Sequence, residues 1–554
     1  MTSKAATCQP PKDGIDFDSL PWNLNHPEEH SYVHLKTTSG DWTQEHYDNV
    51  SASVYKYNET TLPLFPSTTS LNYGTTIWEG LKCYRNKDGK PIVFRPDRNF
   101  HRFSNGAEQM CLPAPSRELF MRGIQVVLQE NSHMIPPNGE GMKLYVRPML
   151  MGSGQQLGLY PSPQFSLLFY VSPTGNYFKS ATGGLELHLE TRRARAARGG
   201  VGNVKCSGNY AVALKPLMDA KKQGFHDNLF LELDTYHNDG NLESAILQEM
   251  SAANVFLVLK SGEIVTPSLE RGTILPGVTR DSVMTIVKEF ADDLKTAMKE
   301  STGQDSNISV SSRDVTVGEL KDATEAFCTG TAAEVVPIAK LSTGEGEEPF
   351  EVVFEHGQKL PGGPVTAAIL KLLREIMVGD RSSKGTEGWL RDPFASPEEF
   401  CQDQKALRAE CFAPGEEYAT QAQEDASVAN YVANANGMDK VAFDKYLAAQ
   451  KSAMNLALGY AEQCRMTAQA CWTRGHFGYD PEMPDMVRRR RTADRSVRDG
   501  HAADKMWRTG IFEYLGVIQA MHFPRRGSRS EDAVAVPDPP DGSDDEEEDA
   551  GGNG

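Results

Sequence analysis

Between about residue 40 and residue 394, short β-branched or aromatic runs alternate with helical stretches, and that alternation confines the chain to a mixed α/β architecture. The strand-like runs include 143–150 (KLYVRPML), 164–173 (QFSLLFYVSP), 228–233 (NLFLEL) and 253–260 (ANVFLVLK). Helical spacing marks 116–130, 280–299 and 364–377. The stretch 172–178 (SPTGNYF) reads as a connection between two α/β halves. The expected organisation is therefore an N-terminal arm over 1–40, which is polar and Pro-containing, a small α/β domain over 41–175 and a larger one over 176–394.

Beyond residue 394 the character changes. Ser396-Pro397-Glu398-Glu399 is a helix start, with Ser as N-cap, Pro at the first helical position and Glu three residues after the cap. Phe443, Leu447, Met454, Leu458 and Ala461 keep helical spacing, as do Trp507, Ile511, Leu515 and Ile518. We expect a mostly helical extension over 395–525, with the run Arg488–Arg491 on a solvated helix face. Seven acidic residues between Asp541 and Asp549 repel one another, so 526–554 is expected to be a disordered acidic tail.

A formal net charge of -18 repels polyanions, so no nucleic acid or anionic membrane partner is expected. No run of apolar residues is long enough to suggest a membrane span. The nine cysteines are scattered and form no C-x-x-C pair, which argues against a zinc site or a disulfide framework, and no metal is expected. The first residues, MTSKAATCQPPKDGIDFDSL, carry no apolar signal region and are too acidic for a transit peptide, so a cytoplasmic location is expected.

Five segments hold residues with chemical potential. Lys205 lies in the glycine-rich GGVGNVKCSGNY (199–210), and a partly buried lysine has a lowered pKa and a nucleophilic amine. Glu249 stands just before the apolar run 253–260, where a carboxylate could hold a ring nitrogen protonated. The turn Gly277-Val278-Thr279 opens a helix whose free amides suit a phosphate. A second turn of small and hydroxyl residues surrounds Thr329 and Thr331. Arg102 lies in an expected helix, and Tyr73, Trp78 and Tyr84 offer an apolar wall. Taken alone, each has a plain structural reading: a loop lysine, an exposed carboxylate, an ordinary tight turn, a solvated arginine, core aromatics.

Taken in order, LNYGTTIWEGLKCYR (71–85), FRPDRNFHR (94–102), LYVRPMLMGSGQQLGL (144–159), GNVKCSGNYA (202–211), ILPGVTR (274–280) and FCTGTAAEVVPI (327–338) closely resemble the branched-chain amino acid aminotransferases of the type IV pyridoxal-phosphate (PLP) fold, in wording most like the plant branch. The resemblance covers about residues 15–394. It implies a two-domain fold type IV core and PLP as cofactor. By this resemblance Lys205 carries the cofactor as a Schiff base and acts as general base and acid. Glu249 faces the pyridine nitrogen, Tyr210 bonds the phenolic oxygen, and Arg102, Val278, Thr279 and Thr331 hold the phosphate. Tyr73, Trp78, Tyr145, Arg147, Thr331 and Ala332 build the substrate site, with the Thr331-Ala332 amides on the substrate carboxylate. Amino transfer between L-Leu, L-Ile or L-Val and 2-oxoglutarate is implied, in a homodimer. A D-amino-acid aminotransferase or aminodeoxychorismate lyase is the alternative on the same fold, and a non-catalytic scaffold a third reading. Two departures stand out. Ala333 and Val336 occupy positions where some animal members carry a redox C-x-x-C, and Ala252 replaces a frequent hydroxyl residue near the cofactor. All these residues precede 394, so cutting the chain there is expected to spare activity.

Overall fold

The computed structural model describes residues 7–401 apart from 39, 176–182 and 306. Two sheets fill this region, both within one compact unit. The first is built from Ser31–Thr37 (β1), Val54–Lys56 (β2), Thr76–Trp78 (β3), Leu81–Arg85 (β4), Pro91–Phe94 (β5), Lys143–Gly152 (β6) and Phe165–Thr174 (β7). The second holds Leu185–Glu190 (β8), Asp227–Glu232 (β9), Ile246–Met250 (β10), Asn254–Leu259 (β11), Glu263–Pro267 (β12), Ser309–Arg313 (β13), Ala323–Gly330 (β14), Glu334–Ser342 (β15) and Glu351–Val353 (β16). The short strand Leu390–Arg391 (β17) returns to the edge of the first sheet beside β5.

Every pairing in the first sheet is antiparallel, and its long β6–β7 ladder runs from Lys143↔Thr174 to Gly152↔Phe165. The helices Pro96–Gln109 and Arg117–Glu130 contribute Phe103, Phe120 and Ile124 to a core with Leu144, Leu167 and Phe169 of the sheet. The second sheet is mixed, with parallel β8–β9, β8–β15 and β12–β13 pairs. It is buried on both faces, which explains its nearly continuous apolar runs. Along β11, Val255 and Leu257 enter one core while Phe256 and Val258 enter another, completed by the helices Val278–Glu289, Ala291–Thr302 and Pro364–Met377.

The structure departs from the sequence reading in three places. Residues 31–37, assigned to an arm, form β1 between β7 and β2, because Val33 and Leu35 alternate into the core although the surrounding residues are polar. The helix expected over 280–299 is two helices that meet at Phe290. The break there returns Phe290, Leu294 and Met298 to one core. Third, the helix start at Ser396 is present as Pro397–Cys401, capped by the Ser396 hydroxyl accepting from the Glu399 amide at 3.1 Å, but it is no separate appendage. Phe400 is 1% exposed within the first core, and the Gln125 and Gln129 amides of the neighbouring helix donate to the Ala395 and Pro393 carbonyls. A cut after 394 would remove this packing, so that truncation is expected to lower stability. The remaining expectations for 395–554, and most of the proposed connection at 172–178, lie outside the described residues.

Phe400→Ala should cost about 3 kcal/mol, because it leaves a cavity against the Arg117–Glu130 helix. Chemical denaturation of the variant checks this, and a loss within error of zero would show that the segment is not part of the core.

Candidate active site

The loop carrying Lys205 is held at both ends. The Asn209 side-chain amide donates to the carbonyls of Val201 and Val204, at 2.7 Å each, folding the loop back on the first turn of the helix Ser207–Lys222. The Trp78 amide donates to the Lys205 carbonyl at 3.1 Å and so joins β3 of the first sheet to the loop. The lysine side chain is thereby placed between aromatic groups. Its Nζ donates to the Tyr210 hydroxyl at 2.7 Å and sits 3.9 Å from the centre of the Trp78 ring. Burial, with Arg102 nearby, pushes its pKa down to about 7. This is not a solvated lysine, and near neutrality a large fraction of it is a free amine.

Glu249 is itself on a strand, β10, at a bulge opposite β9. Its carboxylate receives Arg195 Nη2 at 2.7 Å, Asn254 Nδ2 at 2.7 Å and the Leu275 amide at 2.9 Å. Burial raises its pKa, and Arg195 is the strongest opposing influence. Asn254 also donates to the Leu275 carbonyl at 2.9 Å, and a Cβ at position 277 would collide with its amide oxygen. Gly277 is required by this close approach rather than by a left-handed backbone.

Gly277 caps the helix Val278–Glu289, whose first amides have no partner within the helix and, with its dipole, favour an anion. Arg95 pins this helix: Nη1 donates to the Ser282 hydroxyl at 2.6 Å and Nη2 pairs with Asp281 at 2.6 Å. Val278, Thr279 and Thr331 line one small cavity with Lys82 and Asn99. Arg102, expected on a phosphate, is engaged by Glu79, which takes Nε and Nη2 at 2.7 Å each, and its Nη1 reaches the Pro276 carbonyl at 3.0 Å. Glu79 is fully buried and accepts a further 2.7 Å bond from Asn99.

Tyr145 and Arg147 project from one face of β6 toward Trp78. The Arg147 guanidinium lies 4.0 Å from the centre of the Trp78 ring and donates to the Tyr145 hydroxyl at 3.2 Å, and its buried Nε has no partner. Tyr145 fits because position 80 is glycine; a Cβ there would strike its phenol. Tyr73 does not join this group among the described contacts. It is exposed, and its hydroxyl donates to the Leu157 carbonyl. Reading by motif missed Glu79, Arg195 and Asn254. Glu79 sits beside Trp78 in a quoted motif, whereas Arg195 and Asn254 carry no local signal.

The donor set fits PLP. An amine with a depressed pKa suits an aldehyde, Tyr210 suits a phenolic oxygen, a fixed carboxylate suits a ring nitrogen, and a helix N-terminus suits a phosphate. Residues 76–341 match the model of the family described as amino-transferase class IV. Branched-chain-amino-acid aminotransferase 2, chloroplastic, of Arabidopsis thaliana is 37% identical over 383 residues, spanning 68% of this chain and 85% of that protein.

The chain belongs to the class IV branched-chain aminotransferases.

Branched-chain amino acid aminotransferase 1, mitochondrial, of Humulus lupulus is likewise 37% identical over 331 residues, covering 59% of this chain and 74% of its own length. A bacterial-type counterpart, the branched-chain amino acid aminotransferase of T.th. solved with pyridoxamine 5'-phosphate, is 25% identical with a TM-score of 0.48, covering 62% of this chain and 96% of that one. The expected cytoplasmic location is overturned by the plant relatives, whose names place them in the chloroplast and the mitochondrion. An acidic N-terminal stretch is a poor guide to compartment.

If the Lys205 amine is free near neutrality, cofactor-free protein should capture added PLP at a rate that rises through about pH 7 and levels off above it. Stopped-flow absorbance reads this directly. A midpoint in the ordinary lysine range would contradict the desolvated environment.

Proposed function

We propose that this enzyme transfers the amino group of L-Leu, L-Ile or L-Val to 2-oxoglutarate, and back, with PLP bound through Lys205. The observation that carries the reading is the Lys205 amine, bonded to Tyr210 at 2.7 Å and kept largely neutral against Trp78. When bound, the cofactor supplies an aldehyde carbon and a ring that takes up the electrons released on breaking the substrate Cα–H bond.

The chain's own residues supply the rest. Lys205 takes the α-proton as a neutral amine and returns it as an ammonium, a cycle that a pKa near 7 favours in both directions. Tyr210 orients the amine through its hydroxyl. Glu249, fixed by Arg195, Asn254 and the Leu275 amide, presents an immobile negative charge for a ring nitrogen. Val278 and Thr279 offer helix-end amides to the phosphate, with Arg102 beside them through Pro276. Thr331 and Ala332 offer turn amides to the substrate carboxylate. Trp78 and Tyr145 exclude water and form an apolar wall for a branched side chain. The unsatisfied Arg147 guanidinium suits the second carboxylate of 2-oxoglutarate or glutamate. We also propose a homodimer: Leu157, Leu159 and Tyr160 are 85%, 79% and 74% exposed, an apolar surface that a partner subunit would cover.

A panel of amino acids with 2-oxoglutarate tests the substrate. L-Leu, L-Ile and L-Val should exceed L-Ala in kcat/KM by about tenfold or more, since each buried methylene contributes roughly 1–3 kcal/mol. Turnover of D-Ala without L-Leu would instead assign the chain to the D-amino-acid enzymes. Lys205→Ala should abolish turnover while the protein stays folded; full residual activity would refute its role.

A further inference from the structure

Outside the contacts described above, one buried carboxylate is surrounded by three cations. Glu334 is the first residue of β15 and is 3% exposed. It follows the turn 331–333 that closes the β14–β15 hairpin, in which Gly330 pairs with Glu334. Its φ is 63°, in the left-handed region that a side chain with a Cβ disfavours. A hairpin turn of this length commonly places glycine at such a position. Here the residue is glutamate, and its carboxylate supplies a reason. One oxygen lies 3.0 Å from Lys82 Nζ and 3.8 Å from Lys143 Nζ; the other accepts from Arg374 Nε at 2.9 Å.

The partners come from three separate elements. Lys82 is on β4, Lys143 on β6, and Arg374 on the helix Pro364–Met377. The two lysine side chains are 3% and 0% exposed, so neither has water as an alternative partner. Burial, with Lys82 beside it, pushes the Lys143 pKa down to about 7. Although burial opposes it, Lys82, Lys143 and Arg374 hold the Glu334 carboxyl well below the usual range. A lone carboxylate serving three buried cations cannot move without leaving charge unpaired.

The geometry gives this clamp a direction. Lys143, Tyr145 and Arg147 alternate onto one face of β6, and Lys82 pairs with Tyr145 across the β4–β6 ladder. Glu334 therefore grips the base of the same strand face that carries Tyr145 and Arg147. It does so one residue past the 331–333 turn, which belongs to the second sheet. Through Thr331 and Lys82, the cavity at the end of the Val278–Glu289 helix touches both the turn and the clamp.

We propose that Glu334 is a positioning residue for amino transfer: by clamping Lys82 and Lys143 it sets the Thr331-Ala332 amides at a fixed distance from Tyr145 and Arg147, so that the substrate carboxylate is bound in register with Lys205. This rests on the reading of the turn as the carboxylate site. Displacement of such a group by a fraction of its bond length weakens binding of the carboxylate without touching the groups that break the Cα–H bond.

Two probes separate the parts of leucine. 4-Methylpentanoate has its carboxylate and side chain without the amine, and 3-methylbutylamine has the amine and side chain without the carboxylate. In the holoenzyme, Glu334→Gln should weaken 4-methylpentanoate by about tenfold or more and leave 3-methylbutylamine unchanged. The KM for L-Leu should rise by a similar factor with kcat nearly constant. Glu334→Gly, which accepts the left-handed backbone freely, should do the same and guards against a folding failure of the glutamine variant. Hydrogen exchange of the peptide 328–337 locates the effect: 4-methylpentanoate should slow exchange in the native enzyme and not in the variants. Unchanged acid affinity with the peptide protected in both overturns the role of Glu334 alone. Equal weakening of acid and amine also overturns it, as general damage. An unprotected peptide in the native enzyme overturns the carboxylate reading of the turn and this proposal with it.

Discussion

An amine can act as nucleophile and base only while it is uncharged, and in this fold that condition is met by withholding water from Lys205. Trp78 covers one side, Tyr210 takes the amine's hydrogen bond, and Arg102 adds a nearby positive charge that disfavours another. None of these groups is contiguous with the lysine loop except Tyr210. Trp78 comes from β3 of the first sheet and Arg102 from the helix that follows β5. The site exists because the two sheets are held in register, and the Trp78 amide on the Lys205 carbonyl is the backbone bond that joins them at that point.

The charges around the lysine have a consistent sign. Arg102, Arg147 and Arg195 face two carboxylates, Glu79 and Glu249, with Lys205 titrating between them. Each carboxylate is already fully engaged, Glu79 by Arg102 and Asn99, Glu249 by Arg195, Asn254 and a backbone amide. Arg147 retains an unsatisfied donor. A cleft of this kind in a chain of net charge -18 focuses positive potential locally and draws in anions that the surface as a whole repels. Phosphate, carboxylate and dicarboxylate ligands all have that sign.

Much of this was legible in the residues. The apolar runs marked β6, β7, β9 and β11, and the glycine turn before Val278 marked a helix end. What failed did so for physical reasons. Val33 and Leu35 form a strand whose neighbours are polar, so composition alone read an arm. A continuous helical pattern over 280–299 hid the break at Phe290, which tertiary packing imposes. Arg195, Asn254 and Glu334 act through partners 54, 5 and 252 positions away, and an isolated charged or amide residue has no periodicity to announce its burial. Gly277 was legible as a turn, but the reason for it, the amide of Asn254, is visible only in three dimensions.

Reduction of the holoenzyme with sodium borohydride, followed by proteolysis and mass mapping, tests the central claim most directly. A single stable pyridoxyl label on the peptide containing Lys205, lost in the Lys205→Ala variant, is the result this account requires. A label on another lysine, such as the buried Lys82 or Lys143, or no label in protein that has bound the cofactor, would contradict it.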